Sequence, residues 1–260
     1  MNGRLLKLKV ILLSIAMALA GCYVNDGPPP SNPKADPKKA ANDYVKVGLE
    51  YIALGDTQSA KKPLARALEL DSKSPQVNAA VAYMYQKDAE PALAEEYFQK
   101  ALSYDSKYTT GRNNYGMFLY SQKRYDEALA QLKIAADDTF FDNRAAIFNN
   151  IGLVYLKMNK MAEAEAAFNK ASILDGDNPD NYLEIAEMNF NNQAYDQAKA
   201  NYDNYVRLKP QQDARGLWLG IRLARALGNR ADEAKYIAVL KKSYSTSDQY
   251  FYYVNSLEKR

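Results

Sequence analysis

The sequence predicts an all-α protein, a superhelical solenoid of about six helix–turn–helix repeats closed by a C-terminal capping helix. Three series of small residues lead there. Gly48, Ala82, Gly116, Gly152, Ala186 and Gly220 are separated by 34, 34, 36, 34 and 34 residues. Ala60, Ala94, Ala128, Ala164 and Ala198 step by 34, 34, 36 and 34, and Ala67, Ala101, Ala135 and Ala171 by 34, 34 and 36. The series share one period and one two-residue insertion near Phe141 to Arg144. A fixed period of this length marks stacked supersecondary units, each too small to bury its apolar face alone.

Residues 1–21 read as a signal peptide. Arg4, Lys7 and Lys9 precede a short apolar core, Val10 to Ala20, and small residues follow. Eleven apolar-type residues fall short of the ~20 that a membrane-spanning helix needs. Residues 22–40 form the next segment, a cysteine followed by a tether. Cys22 is the only cysteine, so no intramolecular disulfide can form. Tyr23 to Ala40 carries five of the ten prolines and no apolar periodicity, as an extended tether would. Fully polyproline-like, it would reach about 50 Å.

Residues 41–247 hold the repeats, which start near 41, 75, 109, 145, 179 and 213. The unit is clearest from Asn113 to Ala135. Gly116 and Ala128 are the small residues where its two helices cross, and Leu119, Leu132 and Ala135 fill the seam. Gln122, Lys123 and Arg124 make the turn, and Asp126 and Glu127 stand in the next helix's first turn, where carboxylates suit the positive dipole end. Pro63 falls inside the second helix of repeat one and is expected to bend it or delay its start. In repeat six, Gly228 to Ala234 is one residue longer than Gly55 to Ala60, and Asp232 replaces an expected alanine. Residues 248–260 read as the capping helix, with Phe251, Val254 and Leu257 closing the open end.

A 34-residue helix–turn–helix period resembles the tetratricopeptide family. In that family the first helix of each pair lines a concave groove. The resemblance implies groove positions at Val45, Leu49 and Ile52; Ala79, Tyr83 and Gln86; Asn113, Asn114, Met117 and Tyr120; Asn149, Asn150, Leu153 and Leu156; and Leu183, Glu187 and Phe190. The result is an apolar groove with amides in the middle. Amides carry donors and an acceptor, so Asn114 and Asn150 can pair with the backbone of a bound peptide or bridge helices. Leu49 and Ile52 can equally pack between repeats. Lysine and arginine pairs are absent from the family's carboxylate-clamp positions, so an apolar peptide or helix is the expected ligand.

Composition excludes several classes. There is no histidine, which removes Ser-His-Asp and Cys-His catalysis and most zinc sites. No glycine-rich phosphate loop follows a strand. Neither catalysis nor a cofactor is expected. The net charge of +3 comes entirely from the first 21 residues; the rest holds 31 basic and 31 acidic residues. A nucleic-acid partner is therefore not expected. A monomer is the expected state, which composition does not itself decide.

Leu19-Ala20-Gly21-Cys22 resembles the bacterial lipobox. The resemblance implies lipidation of Cys22 and anchoring in the inner leaflet of the outer membrane, since Tyr23 rather than an aspartate follows. A lipobox, a proline-rich tether and six such repeats are together similar to the type IV pilus biogenesis lipoproteins. Those pilotins bring the secretin subunit to the outer membrane and support its multimerisation. The resemblance implies that the groove binds the secretin subunit. The alternative is a lipoprotein of the outer-membrane β-barrel assembly machinery or a general envelope scaffold.

Overall fold

The computed structural model describes residues 36–258. The expected signal peptide, Cys22 and most of the tether lie outside the described residues. Among the described residues there are thirteen helices and no strand. They are α1 (Pro37–Ala53), α2 (Thr57–Leu70), α3 (Pro75–Lys87), α4 (Pro91–Tyr104), α5 (Thr109–Ser121), α6 (Tyr125–Ala136) and α7 (Arg144–Lys157). Then follow α8 (Met161–Leu174), α9 (Pro179–Asn191), α10 (Tyr195–Leu208), α11 (Ala214–Ala226), α12 (Arg230–Ser243) and α13 (Asp248–Glu258). No helix among these residues is long and apolar enough to cross a membrane.

The sequence sets several helix starts chemically. Pro37, Pro75, Pro91 and Pro179 occupy first-turn positions, where a missing N–H costs nothing. Asp36, Asp56, Ser74, Asn178, Asp213 and Asn229 accept backbone N–H groups of the turns they precede. The cap at Asp36 starts α1 four residues before the expected end of the tether. It turns Pro37 to Ala40 from tether into helix.

One turn geometry recurs inside every pair. Gly55, Ala89, Lys123, Asn159, Gln193 and Gly228 all have φ between 58° and 79°. The N–H after each reaches back five residues: Asp56 to Tyr51, Glu90 to Tyr85, Arg124 to Leu119, Lys160 to Tyr155, Ala194 to Asn189 and Asn229 to Ala224. This is the left-handed helix stop. Glycine takes it without strain at the two ends of the stack; the four inner repeats hold other residues there.

The small-residue series are the helix crossings. A Cβ on Gly116 would come within 2.7 Å of Leu132, and one on Gly152 within 2.6 Å of Phe168. Ala60, Ala94, Ala128, Ala164 and Ala198 are fully buried. First helices of successive repeats lie side by side, α1 on α3, α3 on α5, α5 on α7 and α9 on α11. Second helices form the other layer, each also touching the first helix of the next repeat.

Three expectations are corrected. Helix α2 runs through Pro63 from Thr57 to Leu70 instead of starting later. The extra residue of repeat six does not sit after Gly228, because α12 starts two residues past Gly228 as α2 starts two past Gly55. Ala234 is accordingly exposed, and Gly220 instead packs against Tyr202 and Tyr236. At the C-terminus, Phe251 is 62% and Leu257 45% exposed. Tyr250 and Tyr253 face the core instead, and Ser256 accepts a hydrogen bond from Arg225 at 2.9 Å. The expected insertion forms a seven-residue link, 137–143, in which Arg144 Nε donates to the Ala136 carbonyl at 2.7 Å.

Candidate functional site: the groove along the first helices

A cleft of about 970 Å³ lies along α1, α3 and α5 at the N-terminal end of the first-helix layer. That is the upper end of the usual range for ligand clefts. Its apolar floor includes Val45, Leu49, Ala79, Ala80 and Tyr83, with Tyr108 from the turn before α5. Its polar lining includes Asn42, Gln76, Thr110 and Asn114. Burial raises the pKa of the Tyr108 phenol above its ordinary value.

Leu49, Tyr83 and Asn114, all expected on the groove, line this cleft together. Ile52 does not. It is only 5% exposed and packs in the first core cluster, because α1 turns it towards α2. Gln86 is half-buried and lies off the cleft, one turn beyond Tyr83. The cleft also has features the groove positions did not anticipate. Lys38, Lys46 and Lys73 stand on its lining with Asp71 as the only acid. This end of the groove therefore has a basic rim. The lysines come from α1 and the link before α3 rather than from the family's clamp positions, so they were missed.

The remaining expected residues continue the layer past the cleft. Asn113, Met117, Tyr120, Asn149, Asn150 and Leu153 are half-buried. Asn150 Nδ2 donates to Asn113 Oδ1 at 2.9 Å, joining α7 to α5, and Asn113 Nδ2 lies 3.5 Å from Asn114 Oδ1. Of the two amides weighed as peptide partners, Asn150 thus bridges helices and Asn114 faces the cleft. Asn149 Oδ1 is buried without a hydrogen-bond partner. Tyr120 stacks obliquely on Tyr125 at 5.9 Å, and burial raises its phenol pKa.

Farther on, the layer carries its charges in internal pairs. Arg215 binds Glu184 and Glu187, and Arg222 binds Glu187 at 2.8 Å while lying 4.8 Å over the Phe190 ring. Burial alone would raise the Glu187 carboxyl, but the two guanidiniums outweigh it and hold the pKa below its ordinary value. These charges pair with one another across α9 and α11. Among the described residues no three His, Cys, Asp or Glu side chains gather to hold a metal. The arrangement suits binding of a peptide-like partner.

Comparison with known proteins agrees with this geometry. Tetratricopeptide repeat models match residues 44–74, 78–143 and 145–178. A curated relative, the type IV pilus assembly protein PilF of Pseudomonas aeruginosa, is 38% identical over 240 residues, 92% of this chain and 95% of the relative. The solved structure of Pseudomonas aeruginosa PilF superposes with a TM-score of 0.78 at 39% identity, covering 85% of this chain and all of that one. The structure of PilW, described as a widely conserved type IV pilus biogenesis factor, gives 0.75 at 25% identity over 82% of this chain and 98% of the other. The chain is a repeat protein and not an enzyme. It belongs to the tetratricopeptide repeat proteins and, within them, to the family of the type IV pilus assembly protein PilF.

Proposed function

We propose that this protein is an outer-membrane pilotin lipoprotein of type IV pilus biogenesis. Its lipid directs it to the outer membrane, and its groove holds a segment of the secretin subunit and promotes secretin multimerisation. The observation that carries the reading is near-full-length similarity to a type IV pilus assembly protein together with the lipobox at Leu19 to Cys22. Tyr83, Leu49 and Asn114 on the cleft lining supply the recognition surface, since amphipathic aromatics and amides suit peptide capture.

Mechanistically this is transport by attachment. Two or more acyl chains on Cys22 make a stable anchor, each buried methylene contributing about 0.8 kcal/mol. A tethered groove raises the effective concentration of bound subunits at the membrane and needs no energy source.

The test is a deletion strain in which inner- and outer-membrane fractions are blotted for unheated secretin, beside a Cys22→Ser complement. Loss of multimers, or subunits held at the inner membrane and not rescued by Cys22→Ser, supports the pilotin reading. Normal secretin rings in the outer membrane without this protein would overturn it.

A further inference from the structure

We propose that the N-terminal end of the groove selects an acidic, extended peptide segment. The proposal rests on the reading of the groove as a peptide-binding surface and adds the chemistry of what it takes.

The argument is one of charge left unpaired. Lys38 and Lys73 are exposed on the cleft lining and, among the described residues, form no ion pair. Lys46 meets only Asp43, at 3.5 Å, with both side chains more than half exposed. Such a pair is worth little in water and yields readily to a better partner. Against these three lysines the lining carries one carboxylate, Asp71. On α9 and α11 of the same layer, by contrast, Arg215 pairs with Glu184 and Arg222 with Glu187. The cleft lining thus carries more positive charge than its own carboxylate can match.

The rest of the lining fixes the form of the ligand. Asn42, Gln76 and Asn114 present donors and acceptors that an extended backbone can use, whereas a helix keeps its backbone groups to itself. Leu49 and Tyr83 between them offer room for an apolar side chain. A segment with two or more carboxylates flanking an apolar residue meets all three requirements. The lysines add encounter rate and selectivity against basic segments more than raw affinity.

The test uses the mature full chain as bait for a random dodecapeptide phage library, with recovered peptides resynthesised and titrated by fluorescence anisotropy. The expected binders carry a net negative charge. They should bind about tenfold more weakly to the Lys38→Glu/Lys73→Glu double variant and lose affinity between low and high salt. Lys38 and Lys73 make no side-chain contacts that folding needs, and circular dichroism checks this. Recovery of neutral or basic binders, of no binders, or of acidic peptides that bind the double variant equally well would overturn the proposal. This outcome is independent of the secretin blots: acidic selection in vitro can hold where the pilotin reading fails, and the reverse.

Discussion

Asn150 reaches across from α7 to donate its side-chain amide to Asn113 Oδ1 on α5, at 2.9 Å over 37 residues of sequence. The two amides occupy one another, while Asn114, one residue along, lines the cleft. The neighbours should therefore respond differently to truncation. Asn150→Ala should lower stability by about 1 kcal/mol, read by urea unfolding, with little effect on partner binding. Asn114→Ala should leave stability unchanged and weaken peptide or secretin capture several-fold. Equal effects of the two substitutions on binding would refute the assignment.

Glu95 supplies the inter-repeat staple and makes the protein sensitive to acid. Its carboxylate accepts Arg124 at 2.6 Å and the Tyr115 hydroxyl at 2.9 Å, joining α4 to the third repeat. The Arg124 hydrogen bond depresses the Glu95 pKa against the opposing effect of burial. A depressed folded pKa means that the stabilisation is complete above the unfolded glutamate value, about 4.3, and is lost as pH falls through the folded value. Glu95→Gln should cost about 1 kcal/mol or less at pH 7, since the Arg124 side chain is 35% exposed. The difference from wild type should shrink as pH falls through the folded value. A pH-independent difference would remove the ion pair from the account.

The period of 34 made the crossings legible, because a helix pair has only one face on which a small residue is required. Gly116 and Leu132 meet where the spacing put them. The turn residues were less legible: Ala89 and Gln193 adopt a backbone that their side chains do not advertise. The groove was half legible. Leu49, Tyr83 and Asn114 follow from helix register, but the same register placed Ile52 on the groove, and the rotation of α1 against α2 buries it. The lysine rim lay beyond any repeat pattern. Lys73 comes from a link and Lys38 from the first turn of α1, and links carry no period.

Gly152 should tolerate no side chain. A Cβ there would stand 2.6 to 2.8 Å from three atoms of the fully buried Phe168 ring, so the ring or the helix crossing must shift. Gly152→Ala should destabilise the fourth repeat by about 1–3 kcal/mol despite the gain in helix propensity. The double variant Gly152→Ala/Phe168→Leu should recover part of the loss, since a shorter side chain frees the crossing. Chemical denaturation followed by circular dichroism would measure both, and an undiminished loss in the double variant would count against the close approach as its cause.

Asn181 offers the opposite opportunity. It is completely buried at the start of α9, and neither its Oδ1 nor its Nδ2 has a hydrogen-bond partner. The residue one period earlier, Ile147, is also fully buried and apolar. An unsatisfied buried amide forfeits its hydration with no return, about 1–3 kcal/mol. Leucine has nearly the same shape and no such requirement. Asn181→Leu should therefore stabilise the chain by about 1 kcal/mol, raising the midpoint of thermal unfolding by about 2–4 °C for a chain of this size. Groove binding should not change, because Asn181 is not part of the cleft lining. A lowered midpoint would mean that the amide is satisfied in solution, by bound water, and that the site is built around that water.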